Sequence, residues 1–185
     1  MKIWTLLAPY APLMALLVWA AVSDVRARLI RNWLTGSLVL SGLLQSLGPT
    51  ATVPLWMSAL GLLAGLGLLI FPFAVGAVGG GDVKLLAGIG AWVGPLAVFQ
   101  VFCAEAVIGL AVVLAQAAAA GKLRALFRNS AALACSLAHV GSLGVEHAEA
   151  SGKQLRSVDR PLPYAVPTLA AVAVVLWVTV VGGRS

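Results

Sequence analysis

The stretch LWMSALGLLAGLGLLIFPFAVGAVGGGDVKLL, Leu55 to Leu86, carries no charge until Asp82 and Lys84 near its end. Its first part, Leu55 to Val75, is long enough to cross a bilayer as a helix, which takes about 20 apolar residues. The glycines then break that helix and set an acid before a new apolar run. Gly79, Gly80 and Gly81 leave the backbone free to turn tightly, and Leu85-Leu86-Ala87-Gly88-Ile89 reads as a helix starting at once. Asp82 therefore falls at a helix N-terminus. An Asp there acts as a cap, accepting hydrogen bonds from the first free N–H groups and complementing the positive end of the dipole.

Outward from this stretch, long apolar runs alternate with Gly/Pro or polar breaks along the chain. Of 185 residues, 61% are hydrophobic and 10% charged, with a mean hydropathy of +1.02; soluble proteins average about 25% charged. The chain is an integral membrane protein by composition. Strands of alternating polarity are absent, so the expected fold class is an all-α, polytopic bundle rather than a barrel. Six spans are expected: Ile3 to Val22, Trp33 to Leu47, Leu55 to Val75, Val83 to Val93, Leu96 to Ala120 and Tyr164 to Val181. They form a single transmembrane domain, 1–185, interrupted by a cytoplasmic or interfacial segment over 122–162. The first run exceeds a signal-peptide core and is read as a retained helix. Small residues at helix-packing spacing, Gly61 with Gly65, Gly76 with Gly80 and Gly90 with Gly94, suit close helix approach.

Basic residues set the orientation. Arg26, Arg28 and Arg31 follow the first span, Lys84 follows the third, and Lys122, Arg124, Arg128, Lys153, Arg156 and Arg160 lie in the long segment. With six spans all of these share one side, which the positive-inside rule makes cytoplasmic. Within the long segment, Leu126, Leu133, Leu137 and Val140 recur at helical spacing, which suits an amphipathic helix on the membrane surface; a loose surface loop is the alternative. The net charge of +6 is dispersed over span ends rather than gathered on one face, so membrane lipid and not nucleic acid is the expected contact. Cys103 and Cys135 form no CxxC, and His139, Glu146, His147 and Glu149 match no HExxH spacing, so neither a disulfide framework nor a metal site is expected.

The chain has six acidic residues. Glu146, Glu149 and Asp159 lie where water can solvate them. Asp24 ends the first span and Asp82 begins the fourth, so the topology sets both at one membrane depth, on the cytoplasmic side. An acid in so apolar a bundle is costly and points to function. The plain alternative for Asp24 is a helix-end pair with Arg28, worth little at a wet surface. Two carboxyls brought close do not both ionise easily, so the pair can share a proton. Such a dyad hydrolyses amides: one member activates water, and the other polarises the carbonyl and protonates the leaving amine. That chemistry calls for no cofactor and no metal. Bare backbone before Asp82 would also let an extended peptide approach the acid. Glu105, deeper in the fifth span, is either a partner for Lys84 or a polar contact between helices.

GGGDVKLLAGIGAWVG, Gly79 to Gly94, resembles the GxGD signature and following helix of type IV prepilin peptidases, which are membrane aspartic proteases. SDVRARLIRNWLT, Ser23 to Thr35, resembles their first-acid segment, with a basic stretch and an Ile-x-Asn leading into the next helix. RPLPYAVPTLAA, Arg160 to Ala171, is similar to the Pro-aromatic approach to their last span. The resemblance implies that Asp24 and Asp82 are the catalytic pair, supported by Gly79, Gly80, Gly81, Lys84 and Asn32. It further implies cleavage of a prepilin-like substrate at the bacterial inner membrane, after a short basic leader and before an apolar helix that joins a pilus or secretion filament.

Two departures from the family pattern are informative. Longer members carry a cysteine-rich cytoplasmic insert and also methylate the new amino terminus. Here a short loop separates the first two spans, which speaks against methyl transfer and resembles the minimal peptidases of Flp-type, tight-adherence pili. Arg31 stands where the family often has proline, and losing that fixed geometry is expected to change the loop's backbone. Two other functions are compatible with acids in a bundle. A proton-coupled transporter would keep them at mid-depth, and a non-catalytic assembly subunit would tolerate Asn at either position.

Overall fold

The structure is a computed structural model that describes residues 7–49, 51–74, 76, 78–124, 128, 164–180 and 182. Most of the amphipathic segment foreseen over 122–162, with His139, Glu146, His147, Glu149 and Cys135, lies outside them. Every regular element among the described residues is helical. A 3-10 turn, Ala8–Tyr10, leads into α1 (Ala11–Ala27); α2 (Asn32–Gln45), α3 (Leu55–Ala74), α4 (Gly80–Ala119) and α5 (Ala165–Val180) follow. Three stretches are long and apolar enough to cross a membrane: Ala8–Ala27, Leu55–Ala74 and Gly80–Ala119. A shorter apolar helix covers Ala165–Thr179.

The first helix runs on past Val22. Pro12 is tolerated in its opening turn, where no N–H partner is needed. At the far end Arg28 adopts a left-handed conformation (φ 50, ψ 35) and donates its N–H to the Asp24 carbonyl at 2.8 Å, which stops the helix. Ser23 Oγ donates to the Leu29 carbonyl at 3.1 Å, folding the short turn toward α2. Arg31 caps α2 with φ −69 and ψ 136. That φ falls within proline's own range. The expected change of loop backbone therefore finds no support, because the arginine takes up a proline-like geometry.

The first limb of α4, residues 80–93, is the centre of the molecule. Val83, Leu85, Leu86, Ala87, Ile89, Ala91 and Trp92 are all buried, so from Leu85 to Trp92 this limb is covered on every side. It packs against α2 and α3, and α4 also packs against α5. Small residues allow the approach on the α3 side. A Cβ on Gly61 would strike the Gly90 carbonyl, one on Gly90 would strike Gly61's, and one on Gly65 would come within 2.6 Å of the Leu86 carbonyl. Gly76 and Gly94 serve otherwise than as packing positions. Gly76 turns the chain after α3 (φ 72), donating its N–H to the Phe73 carbonyl at 3.0 Å. Gly94 breaks α4.

At Gly94 the backbone takes φ 82 and ψ 175, a region open essentially to glycine alone. Pro95, with no N–H to satisfy, opens the second limb, 95–119. Breaking a helix orphans the carbonyls before the break. Two of them find side chains: Ser58 Oγ donates to the Ala91 carbonyl at 2.6 Å and Thr52 Oγ1 to that of Trp92 at 2.8 Å. The Gln45 amide holds Thr52 in turn, donating to its hydroxyl at 2.9 Å and accepting its N–H at 3.0 Å. Trp92 Nε1 donates to the Leu38 carbonyl at 3.1 Å, pinning the limb to α2. Glu105 bonds Thr168, one turn from the Ala165 N–H that Asp24 accepts, and Gly81 abuts Ile30 just past the end of α1, whereas a straight helix would part Asp82 and Glu105 by about 35 Å. The second limb therefore folds back toward the start of the first.

Large apolar side chains cover the outside, among them Trp19, Trp33, Leu40, Leu60, Phe71, Leu96 and Trp177. Trp19 and Trp33 meet edge to face, 5.6 Å between centroids. A surface of this kind suits lipid rather than water.

Gly94→Ala is expected to lower stability by about 1–3 kcal/mol, because its backbone region excludes a Cβ. Gly109→Ala, whose Cβ would meet nothing within 4 Å, is expected to be neutral or stabilising by up to about 1 kcal/mol. Thermal unfolding of both purified variants in one detergent checks the contrast.

Candidate active site

Gly79 caps α4 with extended backbone (φ −78, ψ 151), and Asp82 is the third residue of the helix. The Asp82 carboxylate reaches back to accept the Gly79 N–H at 3.1 Å, while the Gly79 carbonyl accepts the Asp82 N–H at 3.1 Å. The helix thus starts three residues earlier than an Asp cap would have it, and Asp82 supplies the reciprocal half of a capping box. The second oxygen is left for other partners. Gly80 lies under the Phe73 ring, and a Cβ on Gly81 would come within 3.2 Å of Ile30 in the turn between α1 and α2. That contact draws the glycine turn toward the end of α1.

Asp24 sits in the last turn of α1 and is 7% exposed. Its carboxylate does not turn to Arg28 but inward, where Oδ2 accepts the Ala165 N–H at 2.9 Å. Ala165 is the first residue of α5, so Asp24 satisfies an orphan amide at the positive end of a helix distant in sequence. The charges of Asp24 and Asp82 act on each other. The two acids singled out from the sequence thus come together at the N-termini of α4 and α5.

A third acid joins them. Glu105, on the second limb of α4, is 6% exposed, and its Oε2 accepts the Thr168 hydroxyl at 3.0 Å. Of the two roles foreseen for Glu105, the polar helix contact is the one present. Lys84 instead donates to Asn32 Oδ1 at 3.0 Å, joining two of the expected supporting residues. Beside that bond lies an open groove of about 750 Å³, lined by Lys84 and by α2 residues including Asn32, Thr35, Leu40 and Leu43. The Tyr164 hydroxyl is buried with no hydrogen-bond partner of good geometry, in the field of both Glu105 and Asp82. Sequence reasoning quoted Tyr164 and Thr168 in the approach to the last span but gave neither a task. Their one signal is position, since a loop that returns to the acids' side of the membrane delivers the first turn of α5 to them. Among the described residues no group of three or more His, Cys, Asp or Glu is arranged to hold a metal.

An all-helical bundle with long apolar spans and an apolar surface, carrying three acids toward the starts of α4 and α5, defines the class as a membrane protein. The type IV leader peptidase family model matches residues 11–114, more than half of the chain, and the chain belongs to that family. No match was found among curated proteins or among solved structures. The match takes in Asp24, Asp82 and Glu105 and stops before α5.

Asp24→Asn retains an oxygen for the Ala165 N–H and is expected to unfold within about 1 kcal/mol of the wild type. Asp24→Leu leaves that amide buried and unpaired, at a cost of about 1–3 kcal/mol. Thermal melts of the two variants check whether the bond seats α5.

Proposed function

We propose that this member of a membrane peptidase family is an aspartic endopeptidase that cuts the short basic leader from a prepilin-like substrate. Asp24 and Asp82 are its catalytic pair. The observation that carries this reading is the convergence of two carboxylates, far apart in sequence, at the same end of the bundle: Asp82 on the Gly79 N–H, Asp24 on the Ala165 N–H, with Gly81 against Ile30 between them. In the reaction one carboxylate, ionised, takes a proton from water as the oxygen attacks the scissile carbonyl. The other, protonated, donates to that carbonyl. Collapse of the tetrahedral intermediate breaks the C–N bond, and the leaving amine receives a proton. Gly79 to Gly81 present backbone without side chains to an extended substrate, and the Lys84–Asn32 bond holds the head of α4 to that of α2.

We read the two limbs of α4 as separate crossings, which with α1, α2, α3 and α5 makes six. Arg26, Arg28, Arg31 and Lys84 then share one side, and the positive-inside rule turns the acids to the cytoplasm of a bacterial inner membrane. The short loop between α1 and α2 has no room for the cysteine-rich insert of the methylating members, so the reaction ends at hydrolysis. The freed apolar helix can then pack into a pilus or secretion filament.

Co-expression with an Flp-type prepilin, with the substrate's N-terminus read by mass spectrometry, tests the dyad. Leader removal is expected with the wild type, and a loss of about 10²–10⁴-fold with Asp24→Asn or Asp82→Asn at equal membrane levels. Full cleavage by either variant overturns the dyad and returns Asp82 to a helix-capping role. A cysteine introduced at position 26 is expected to react with an impermeant maleimide in inverted vesicles and not in intact spheroplasts; the reverse pattern overturns the orientation.

A further inference from the structure

Glu105 is a buried acid inside a lipid-embedded helix, where an apolar side chain would pack at lower cost. Among the described residues it meets no cation, and Lys84 is engaged with Asn32. It meets Thr168, whose hydroxyl lies 3.0 Å from Glu105 Oε2 and 2.9 Å from the Tyr164 carbonyl. One turn earlier, the Ala165 N–H reaches Asp24 at 2.9 Å. The first turn of α5 is thus held by two acids from different elements, Asp24 on α1 and Glu105 on the second limb of α4. A single hydrogen bond at a helix end leaves the helix free to turn about its axis and to slide. A second one, three residues on and on a neighbouring face, fixes both motions. The seating has a chemical consequence, since it decides where the Ala165 N–H meets Asp24.

We infer that Glu105 is a positioning residue: through Thr168 it seats the first turn of α5, holding the Ala165 N–H on Asp24. This rests on the reading of Asp24 and Asp82 as the catalytic pair. The working part of Glu105 is its hydrogen-bonding oxygen, and Gln supplies one too. Misplacing a reacting group by about 1 Å costs on the order of 100-fold in rate, and the loss falls on kcat because the seating aims Asp24 rather than holding substrate.

Purified Glu105→Gln, Glu105→Leu, Thr168→Val and the Glu105→Leu/Thr168→Val double variant, assayed on the same Flp-type prepilin in detergent, test the seating. Glu105→Leu and Thr168→Val are expected to lose about 10- to 100-fold in kcat, with KM within about threefold. Glu105→Gln is expected to stay within about threefold of the wild type, and the double variant to be no worse than either single one, because both act through one bond. Amide hydrogen exchange over 165–168, which needs no substrate, is expected to speed up in Glu105→Leu and Thr168→Val and to remain at the wild-type rate in Glu105→Gln. Unchanged exchange in Glu105→Leu overturns the inference, as does a Glu105→Gln variant as impaired as Glu105→Leu. Asp24→Asn and Asp82→Asn run alongside: if either still cleaves, the dyad reading falls, while the exchange data still decide how α5 is seated.

Discussion

The arrangement depends on the fold-back of α4 at Gly94. With that residue helical, Asp82 and Glu105 would stand about 35 Å apart on one rod, and the second limb could not return to the acids. The break needs a backbone conformation that only glycine adopts without strain, then a residue with no N–H in want of an acceptor, and the chain supplies Gly94 and Pro95. It also needs donors for the carbonyls it leaves without a helical partner, in a setting where water is not at hand. Ser58 and Thr52 fill that need from α3 and from the loop before it. Both side chains are polar residues in apolar surroundings for this reason, and the Gln45–Thr52 pair extends the same network to the end of α2. The turn is thus a local feature supported by three neighbouring segments.

Capping and chemistry are compatible uses of Asp82. One carboxylate oxygen closes the capping box on the Gly79 N–H, which fixes the side chain's direction relative to α4, and the other is left for other partners. Asp24 is directed in the same manner by the Ala165 N–H. In each case a backbone amide at a helix start orients an acid, and the bond that stabilises the helix also aims the group. Orientation by main chain suits a membrane site. It avoids a buried cation, whose desolvation a single hydrogen bond would not offset.

Sequence and structure agree most closely where the signal is local. Apolar runs gave the helices, and the breaks at SDVRARLIRN, GAVGGGD and Gly94-Pro95 fall where the structure turns. Asp24 and Asp82 stood out because acids are few in so apolar a chain. What was hidden depends on tertiary position. Asp24 turns to Ala165 rather than to Arg28, a choice made by how α1 packs on α5. Glu105 left two roles open because sequence spacing cannot say whether Lys84 or Thr168 lies opposite. The glycines at packing spacing split in the same way: Gly61, Gly65 and Gly90 lie in a tight helix seam, whereas Gly76 and Gly94, at like spacing, have positive φ. A small residue gives no sign of which use the fold makes of it.

The N-termini of α4 and α5 converge on the acids, and this supplies an electrostatic reason for carboxyls to gather where, among the described residues, no lysine or arginine bonds to them. Each helix start carries a partial positive charge of about half a unit, and two of them facing a cluster of three carboxyls approach the charge of a single cation. Fixed dipoles do not move with a ligand or exchange with solvent, so they lower the cost of holding negative charge at this end of the bundle. In the proposed dyad they serve the carboxylate that acts as base. On this argument the fold-back at Gly94 and the seating of α5 belong to the chemistry as much as to the packing, since together they set both helix starts and all three acids in one place.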